Sequence, residues 1–286
     1  MQICETVKDI REFVKKEKSL GKTVGFVPTM GYLHDGHMSL VRAARRDCRS
    51  VVVSIFVNPL QFGPSEDFDV YPRDFDRDCG MLEEAGVDAV FHPPVSEVYP
   101  EGHGTHVEVS GLTGCLCGKD RPGHFRGVTT VVTKLFNMVQ PDRAYFGQKD
   151  AQQALVIRKM VRDLDMPVEI VTVPIAREAD GLAMSSRNVY LTPEQREAAP
   201  VLYRSLREAA AAVSSGERDV NKLIDMVRRR IAGVKGTSID YVELRSLPDL
   251  GEIEILDGEA LLALAVKFGK TRLIDNIVLG GAGECL

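Results

Sequence analysis

The stretch SVVVSIFVNP, residues 50–59, runs apolar and β-branched with no polar face. A strand of this kind must be covered on both sides, which is the setting of a parallel sheet with helices packed on each face. The flanking pattern agrees. KTVGFVPTM is a second short β-branched run, ending in Pro and Gly signals, and HMSLVRAARRDC after it has helical spacing at Leu40, Val41, Ala44 and Cys48. A helix over about Phe75 to Ala85 leads to a further strand in VDAVFHP. The order β-α-β-α-β predicts a doubly wound sheet with right-handed crossovers. The N-terminal MQICETVKDIREFVKKEKSL reads as a short apolar lead and an amphipathic helix.

Residues 95–125 read as irregular and rich in Gly and His. GVTTVVTKLFNMVQ then reads as helix, DRAYFG as strand, DAQQALVIRKMVRDL as helix and VEIVTVPI as strand. After Pro193 the alternation stops. TPEQREAAPVLYRSLREAAAAV and DVNKLIDMVRRRIA read as two consecutive helices, with Thr192 as N-cap and Pro193 at N1. Three strand candidates follow: IDYVELRS, ALLALAVKFG and TRLIDNIVL. The fold class expected is therefore α/β, a Rossmann-like doubly wound parallel sheet with a second, smaller α+β domain at the C-terminal end. With 286 residues the chain is long enough for two unequal domains, placed at 1–175 and 176–286 with the change falling near 175–185.

Apolar residues at 44% and charged residues at 27% are near globular averages. A formal charge of -5 and pI near 5.8 give no general attraction to nucleic acid or anionic lipid, so any anion site must be built locally. No stretch approaches the roughly 20 apolar residues of a membrane span. The N-terminal segment lacks the apolar core of a secretion signal. The cysteines, Cys4, Cys48, Cys79, Cys115, Cys117 and Cys285, are too scattered for a disulfide scaffold. Reduced thiols in a cytoplasmic protein, with no membrane and no nucleic acid as partner, are the expectation.

One loop carries the strongest chemical signal. PTMGYLHDGHMSL follows the first strand of the alternating pattern and opens a helix. Ligands of open α/β sheets bind at the carboxyl ends of strands, and helix N-termini with nearby glycines bind phosphate. Two imidazoles there, His34 and His37, could donate to phosphate oxygens and offset charge during phosphoryl or nucleotidyl transfer. An arbitrary H-x-x-H pair is more often an ordinary polar loop, and a zinc reading lacks further ligands nearby. HDGH, however, matches the H-x-G-H form of the HIGH signature of nucleotidylyltransferases and class I aminoacyl-tRNA synthetases. A KMSKS-like partner is expected past the last strand of the nucleotide domain, where GLAMSSRNVYL supplies Ser185, Ser186 and Arg187. Two hydroxyls and a permanent cation suit a polyphosphate leaving group. The remaining His and Cys residues, His103, His106, Cys115, Cys117 and His124, do not have common zinc-finger spacing.

VPTMGYLHDGHMSL, SIFVNPLQFGPSED, YPRDFDRD, RPGHFRGV, FGQKDAQQ and READGLAMSSRN together resemble the pantothenate synthetase (pantoate–β-alanine ligase) family, almost end to end. The resemblance implies condensation of pantoate with β-alanine, with ATP cleaved to AMP and pyrophosphate through an enzyme-bound pantoyl adenylate. It implies that Met30, Gly31, Tyr32, Leu33, His34, Asp35, Gly36 and His37 form an ATP loop. His37 and His34 would be the catalytic pair, with His37 the proton donor. Gly147, Gln148, Lys149 and Asp150 would meet nucleotide, phosphate and ribose, and Ala176 the adenine through its backbone. Met184, Ser185, Ser186 and Arg187 would complete the ATP site. Gln61 and Gln153 would hold pantoate, and Gln61 later β-alanine; His124 and Arg126 would lie nearby. Two neutral amides pair a hydroxy acid without neutralising its nucleophilic carboxylate.

Adenylation calls for a divalent cation, Mg²⁺, and oxygen ligands. In YPRDFDRDC some relatives place an acid where this chain has Arg77, which leaves Asp76 and Asp78, of which Asp78 is preferred; a cation held by ATP and water is the alternative. The resemblance further implies a homodimer and a smaller domain acting as a lid. The rival readings are another HxGH transferase, acting on a phosphorylated pantetheine, and a catalytically silent nucleotide- or tRNA-binding module. Gln61 and Gln153 speak against the first, and the intact HDGH and MSSRN loops against the second.

Overall fold

A computed structural model describes residues 1–63, 68–281 and 286, so the end of SIFVNPLQFGPSED and Cys285 lie outside the described residues. It divides into two compact units, the first made of Met1–Thr113, Arg121–Gly147 and Gln153–Val173, the second of Gly114–Asp120, Gln148–Gln152 and Pro174–Leu286.

The first unit opens with β1 (Gln2–Cys4), α1 (Val7–Ser19), β2 (Val24–Thr29), α2 (Asp35–Asp47), β3 (Ser50–Ile55), α3 (Phe75–Glu84), β4 (Ala89–Phe91) and the short α4 (Val95–Val98). The five-residue α5 (Leu116–Asp120) belongs to the second unit. Then come α6 (His124–Val139), β5 (Arg143–Gly147), α7 (Ala151–Asp163) and β6 (Glu169–Val173). The six strands form one sheet in the order β1-β4-β3-β2-β5-β6, and every neighbouring pair is parallel. All six residues of β3 are buried, as its unbroken apolar sequence requires. From β2 the chain winds outward through β3 and β4, and later from β2's other side through β5 and β6. The topological switch therefore lies between β2 and β5, and the loops leaving their carboxyl ends are those beginning at Met30 and Gln148.

In the second unit α8 (Pro193–Ala198), α9 (Val201–Ser214) and α10 (Val220–Ala232) precede β7 (Thr237–Ser246), β8 (Ala260–Phe268) and β9 (Thr271–Leu279), an antiparallel sheet in the order β7-β8-β9. Leu202, Leu206, Ala209 and Val213 of α9 and Leu223, Val227 and Ile231 of α10 recur at helical spacing. They share one core with Leu262, Leu264 and Val266, alternate residues of β8.

The structure departs from the sequence reading at three places. The lead Gln2–Cys4 is a strand, pairing Ile3 with Val90 on the edge of the sheet; three residues are too few for a periodic signal. The helix read continuously from Thr192 is two helices, because Pro200 lacks an N–H and its ring would clash with the carbonyl four residues back. Thr192 does cap α8, with Pro193 at its start. The stretch 95–125 holds two short helices, α4 and α5, besides its loops. Leu206 is fully buried. Leu206→Ala should cost about 2–5 kcal/mol of stability, measured by urea denaturation.

Candidate active site

Thr29 ends β2 with its hydroxyl donating to the Ser54 carbonyl (2.8 Å) and accepting from the Gly31 N–H (3.2 Å). The chain then turns through two left-handed residues, Gly31 at φ 81° and Tyr32 at φ 50°. A Cβ at Gly31 would sit 3.0 Å from both Asp78 Oδ2 and Ile55 Cγ2, so glycine is needed for space as well as conformation. Leu33 is 1% exposed and anchors the turn in the core.

His34 is the N-cap of α2, an unusual residue in that position. Its Nδ1 accepts from the Gly36 N–H (3.1 Å), and His37 Nδ1 accepts from the His34 N–H (3.3 Å), a reciprocal arrangement across the first turn. The ring centroids are 4.1 Å apart. Because each Nδ1 is an acceptor, each neutral imidazole carries its proton on Nε2. The backbone of the HDGH turn thus selects the tautomer that makes both Nε2–H groups donors, at the positive end of a 13-residue helix. Met30, Gly31, Tyr32, Leu33, Asp35 and Gly36 are all placed by this single turn. Asp35 pairs with Arg42 at the surface (3.3 Å).

Gln61 ends a 3₁₀ turn, Pro59–Gln61, whose N-cap Asn58 accepts from the Leu60 N–H (3.2 Å). Its amide nitrogen lies 2.9 Å from Met30 Sδ and its amide oxygen accepts from Asn58 (3.2 Å). Asn58, only 1% exposed, also donates to the Gly127 carbonyl (3.1 Å) and accepts from the Tyr99 hydroxyl (2.8 Å). Burial drives the Tyr99 hydroxyl well above its ordinary range. A Cβ on Gly127 would come within 2.2 Å of the Leu60 carbonyl oxygen, so α6 can approach the Gln61 turn only with glycine there. His124, first residue of α6, donates from Nδ1 to the Gln61 carbonyl (2.8 Å), which leaves Nε2 to accept from Arg121 (3.1 Å). Met30, Gln61 and His124 are therefore brought together in the first unit. Gln153 lies half-buried in the first turn of α7, and Arg126 is exposed on α6.

Gly147 ends β5, and the 3₁₀ turn Gln148–Asp150 follows. Within the second unit Asn276 of β9 donates to the carbonyls of Gln148 (2.9 Å) and Lys149 (3.1 Å), and its oxygen accepts from the Gln148 amide (3.4 Å). Gln148 is 2% exposed; Lys149 is half-buried and Asp150 exposed.

Ala176 and Met184 face each other across a hairpin, the Met184 N–H donating to the Ala176 carbonyl (3.0 Å). Ser185 caps a 3₁₀ turn, Ser186–Tyr190, by accepting from the Arg187 N–H (3.2 Å). Asn188 ties that turn to Glu178 Oε1 (3.1 Å) and the Ala183 carbonyl (3.1 Å). The other end is held by Arg177, which forks onto Asp275 (2.7 and 2.9 Å) and stacks its guanidinium 3.7 Å from the Tyr203 ring centre. Burial pushes the Asp275 carboxyl up, with the Arg177 guanidinium opposing that shift. At the tip, Arg196 bonds Asp180 (2.6 Å) and holds its carboxyl below the usual range.

Asp78, the preferred metal candidate of the sequence, is turned to the backbone of the turn before His34. Only 1% exposed, it accepts the Tyr32 N–H on Oδ2 (2.6 Å) and the Leu33 N–H on Oδ1 (2.7 Å). Among the described residues no three His, Cys, Asp or Glu side chains are grouped to hold a metal ion. The sequence reading passed over Asn58, Arg121, Arg177, Asp275 and Asn276. Asn58 was findable as an Asx cap before Pro59; the others act through partners distant in the chain. Gly127→Ala should displace the Gln61 turn at a cost of about 1–3 kcal/mol, seen as a lower denaturation midpoint and a shifted residue 58–61 backbone in a crystal structure.

A family model described as pantoate-beta-alanine ligase matches residues 2–278. A pantothenate synthetase of Pelotomaculum thermopropionicum is 60% identical over 280 residues, covering 98% of this chain and 99% of its own. One from Acetivibrio thermocellus is 57% identical over 279 residues, with 98% and 99% covered. Among solved structures, a pantothenate synthetase of Thermus thermophilus superposes with a TM-score of 0.92 at 50% identity, covering 97% of this chain and 99% of that one. A pantoate-beta-alanine ligase of Francisella tularensis, complexed with beta-gamma ATP and beta-alanine, gives a TM-score of 0.79 at 34% identity, with 97% of each chain covered.

Proposed function

The chain belongs to the pantoate–β-alanine ligase family and carries out an ATP-dependent condensation of pantoate with β-alanine, and we propose that it does so through an enzyme-bound pantoyl adenylate. In the first step a pantoate carboxylate oxygen attacks the α-phosphorus of ATP and the bond to pyrophosphate breaks. In the second the β-alanine amine attacks the acyl carbon, AMP departs and the amine nitrogen gives up its proton. The end-to-end family match selects this over a transferase acting on phosphorylated pantetheine and over a silent nucleotide-binding module.

The observation that carries the proposal is the tautomer lock of His34 and His37. Two preset Nε2–H donors at a helix N-terminus suit charge that builds on phosphate oxygens as the carboxylate attacks. His37, the proton donor that the family resemblance implies, acts here by hydrogen bonding from its Nε2–H, the ring staying neutral. Met30 to His37, with Gly147, Gln148, Lys149 and Asp150, serve ATP, Gln148 through its backbone because its side chain is bonded to Asn276. Ala176 and Met184 offer backbone to the adenine, and Ser185, Ser186 and Arg187 receive the pyrophosphate. Gln61 and Gln153 hold pantoate, with His124 fixing the Gln61 carbonyl.

Asp78 does not suit a Mg²⁺ ligand, since it is 1% exposed and both its oxygens are turned to backbone N–H groups. We assign the cation to phosphate oxygens and water, and no step above is routed through it. We further propose that the protein works in the cytoplasm as a homodimer. No helix among the described residues is long and apolar enough to cross a membrane.

Labelled pyrophosphate should exchange into ATP when pantoate is present and β-alanine absent; active enzyme that shows no exchange would rule out the adenylate. His37→Ala should slow adenylation on the order of 100-fold, and unchanged turnover would remove His37 from the mechanism. Light scattering should give a mass about twice 31.5 kDa, whereas a monomer mass at assay concentration would exclude the dimer.

A further inference from the structure

Tyr32 and Leu33 are gripped from α3 by two adjacent side chains with opposite charges. The Asp78 carboxylate takes the N–H groups of Tyr32 and Leu33 (2.6 and 2.7 Å). Arg77 donates from Nη2 to the Leu33 carbonyl (2.9 Å), and its guanidinium lies over the Tyr32 ring, 5.3 Å from the centroid. The two also face each other, Arg77 Nη1 lying 3.6 Å from Asp78 Oδ1. Every polar backbone group that the grip uses belongs to the turn immediately before His34. That turn includes Tyr32, a non-glycine residue in the left-handed region, a conformation that persists only where surrounding contacts over-determine it.

We infer that Arg77 and Asp78 are positioning residues for the reaction, a clamp whose hold on Tyr32 and Leu33 sets where the His34 and His37 donors lie. The inference rests on the reading of the HDGH turn as the ATP loop. The chemistry of the pair also bears on the metal. A cation bound at Asp78 would compete with two short N–H donors and would meet the fixed positive charge of Arg77 beside it. The clamp therefore takes the place of the metal ligand that an acidic side chain at this point of the sequence suggests. Buried Asp78 supplies the strong acceptor, and Arg77, whose side chain is 45% exposed, closes the turn from the solvent side.

The test compares Asp78→Asn, Arg77→Gln and Arg77→Lys in the full chain, with His37→Ala as control, by pantoate-dependent pyrophosphate exchange at varied ATP, pantoate and free Mg²⁺. Asn keeps one acceptor oxygen but turns an amide toward the second N–H, so Asp78→Asn should lower the maximal exchange rate on the order of 10-fold. Arg77→Gln should lower it by about 3-fold or more, and Arg77→Lys, which keeps the charge but not the fork, should recover part of that loss. For all three, KM for pantoate and the Mg²⁺ half-saturation should stay within about twofold of the parent, a split that general loosening of the fold would not produce. Should Asp78→Asn fail to melt cooperatively, Arg77→Gln carries the test alone. Full maximal rates in the folded variants would overturn the clamp. So would an Asp78→Asn rate restored by excess Mg²⁺, which is the behaviour of a lost metal ligand. If His37→Ala is inactive while the clamp variants are fully active, only the clamp fails; if His37→Ala is itself fully active, the ATP-loop reading fails.

Discussion

The burial of β3 on both faces is the constraint from which the first unit follows. With no residue of that strand reaching water, its neighbours must be parallel strands with helices above and below. Parallel strands return through crossovers, so all the loops at one edge of the sheet leave from carboxyl ends. The HDGH turn follows β2, the Gln61 turn follows β3 and the Gln148–Asp150 turn follows β5. The proposed ATP loop starts at that edge, where the sheet puts loop starts and a helix N-terminus, and the core beneath β2 gives it a rigid base.

Much of this was legible because it rests on local periodicity and short motifs. The unbroken β-branched run, the alternation with helical spacing and the change of pattern after Pro193 each report a backbone environment within a short window of residues. HDGH and MSSRN are each short motifs, visible in sequence for the same reason. What stayed hidden depends on partners far apart in sequence. Asp78 looked like an oxygen donor for a cation, and only its closeness to the Tyr32 and Leu33 N–H groups shows another use. Asn58 reaches Gly127, and Arg177 reaches Asp275, across spans that no window of sequence covers. Helical periodicity runs on both sides of Pro200 and masks the break that its missing N–H makes.

Loop control in both units relies on buried amides and on carboxylates that are already paired. Asn58 and Asn276 strap backbone carbonyls with neutral donors, while Asp275 is matched by Arg177 and Asp78 by two N–H groups with Arg77 beside them. An unpaired buried carboxylate near a triphosphate would repel it and would itself tend to protonate. Neutral straps and compensated acids fix the loops of each unit without leaving a buried charge unpaired.

Asp275 and Asn276 are consecutive residues of β9, paired with Leu264 and Ala263 of β8. Successive strand residues point to opposite faces, and here one secures the hairpin that begins at Ala176 while the other secures the turn at Gln148. Two loops well separated in sequence thus hang from a single peptide unit near the end of the chain. A distortion of β9 at these two residues would therefore disturb both loops together.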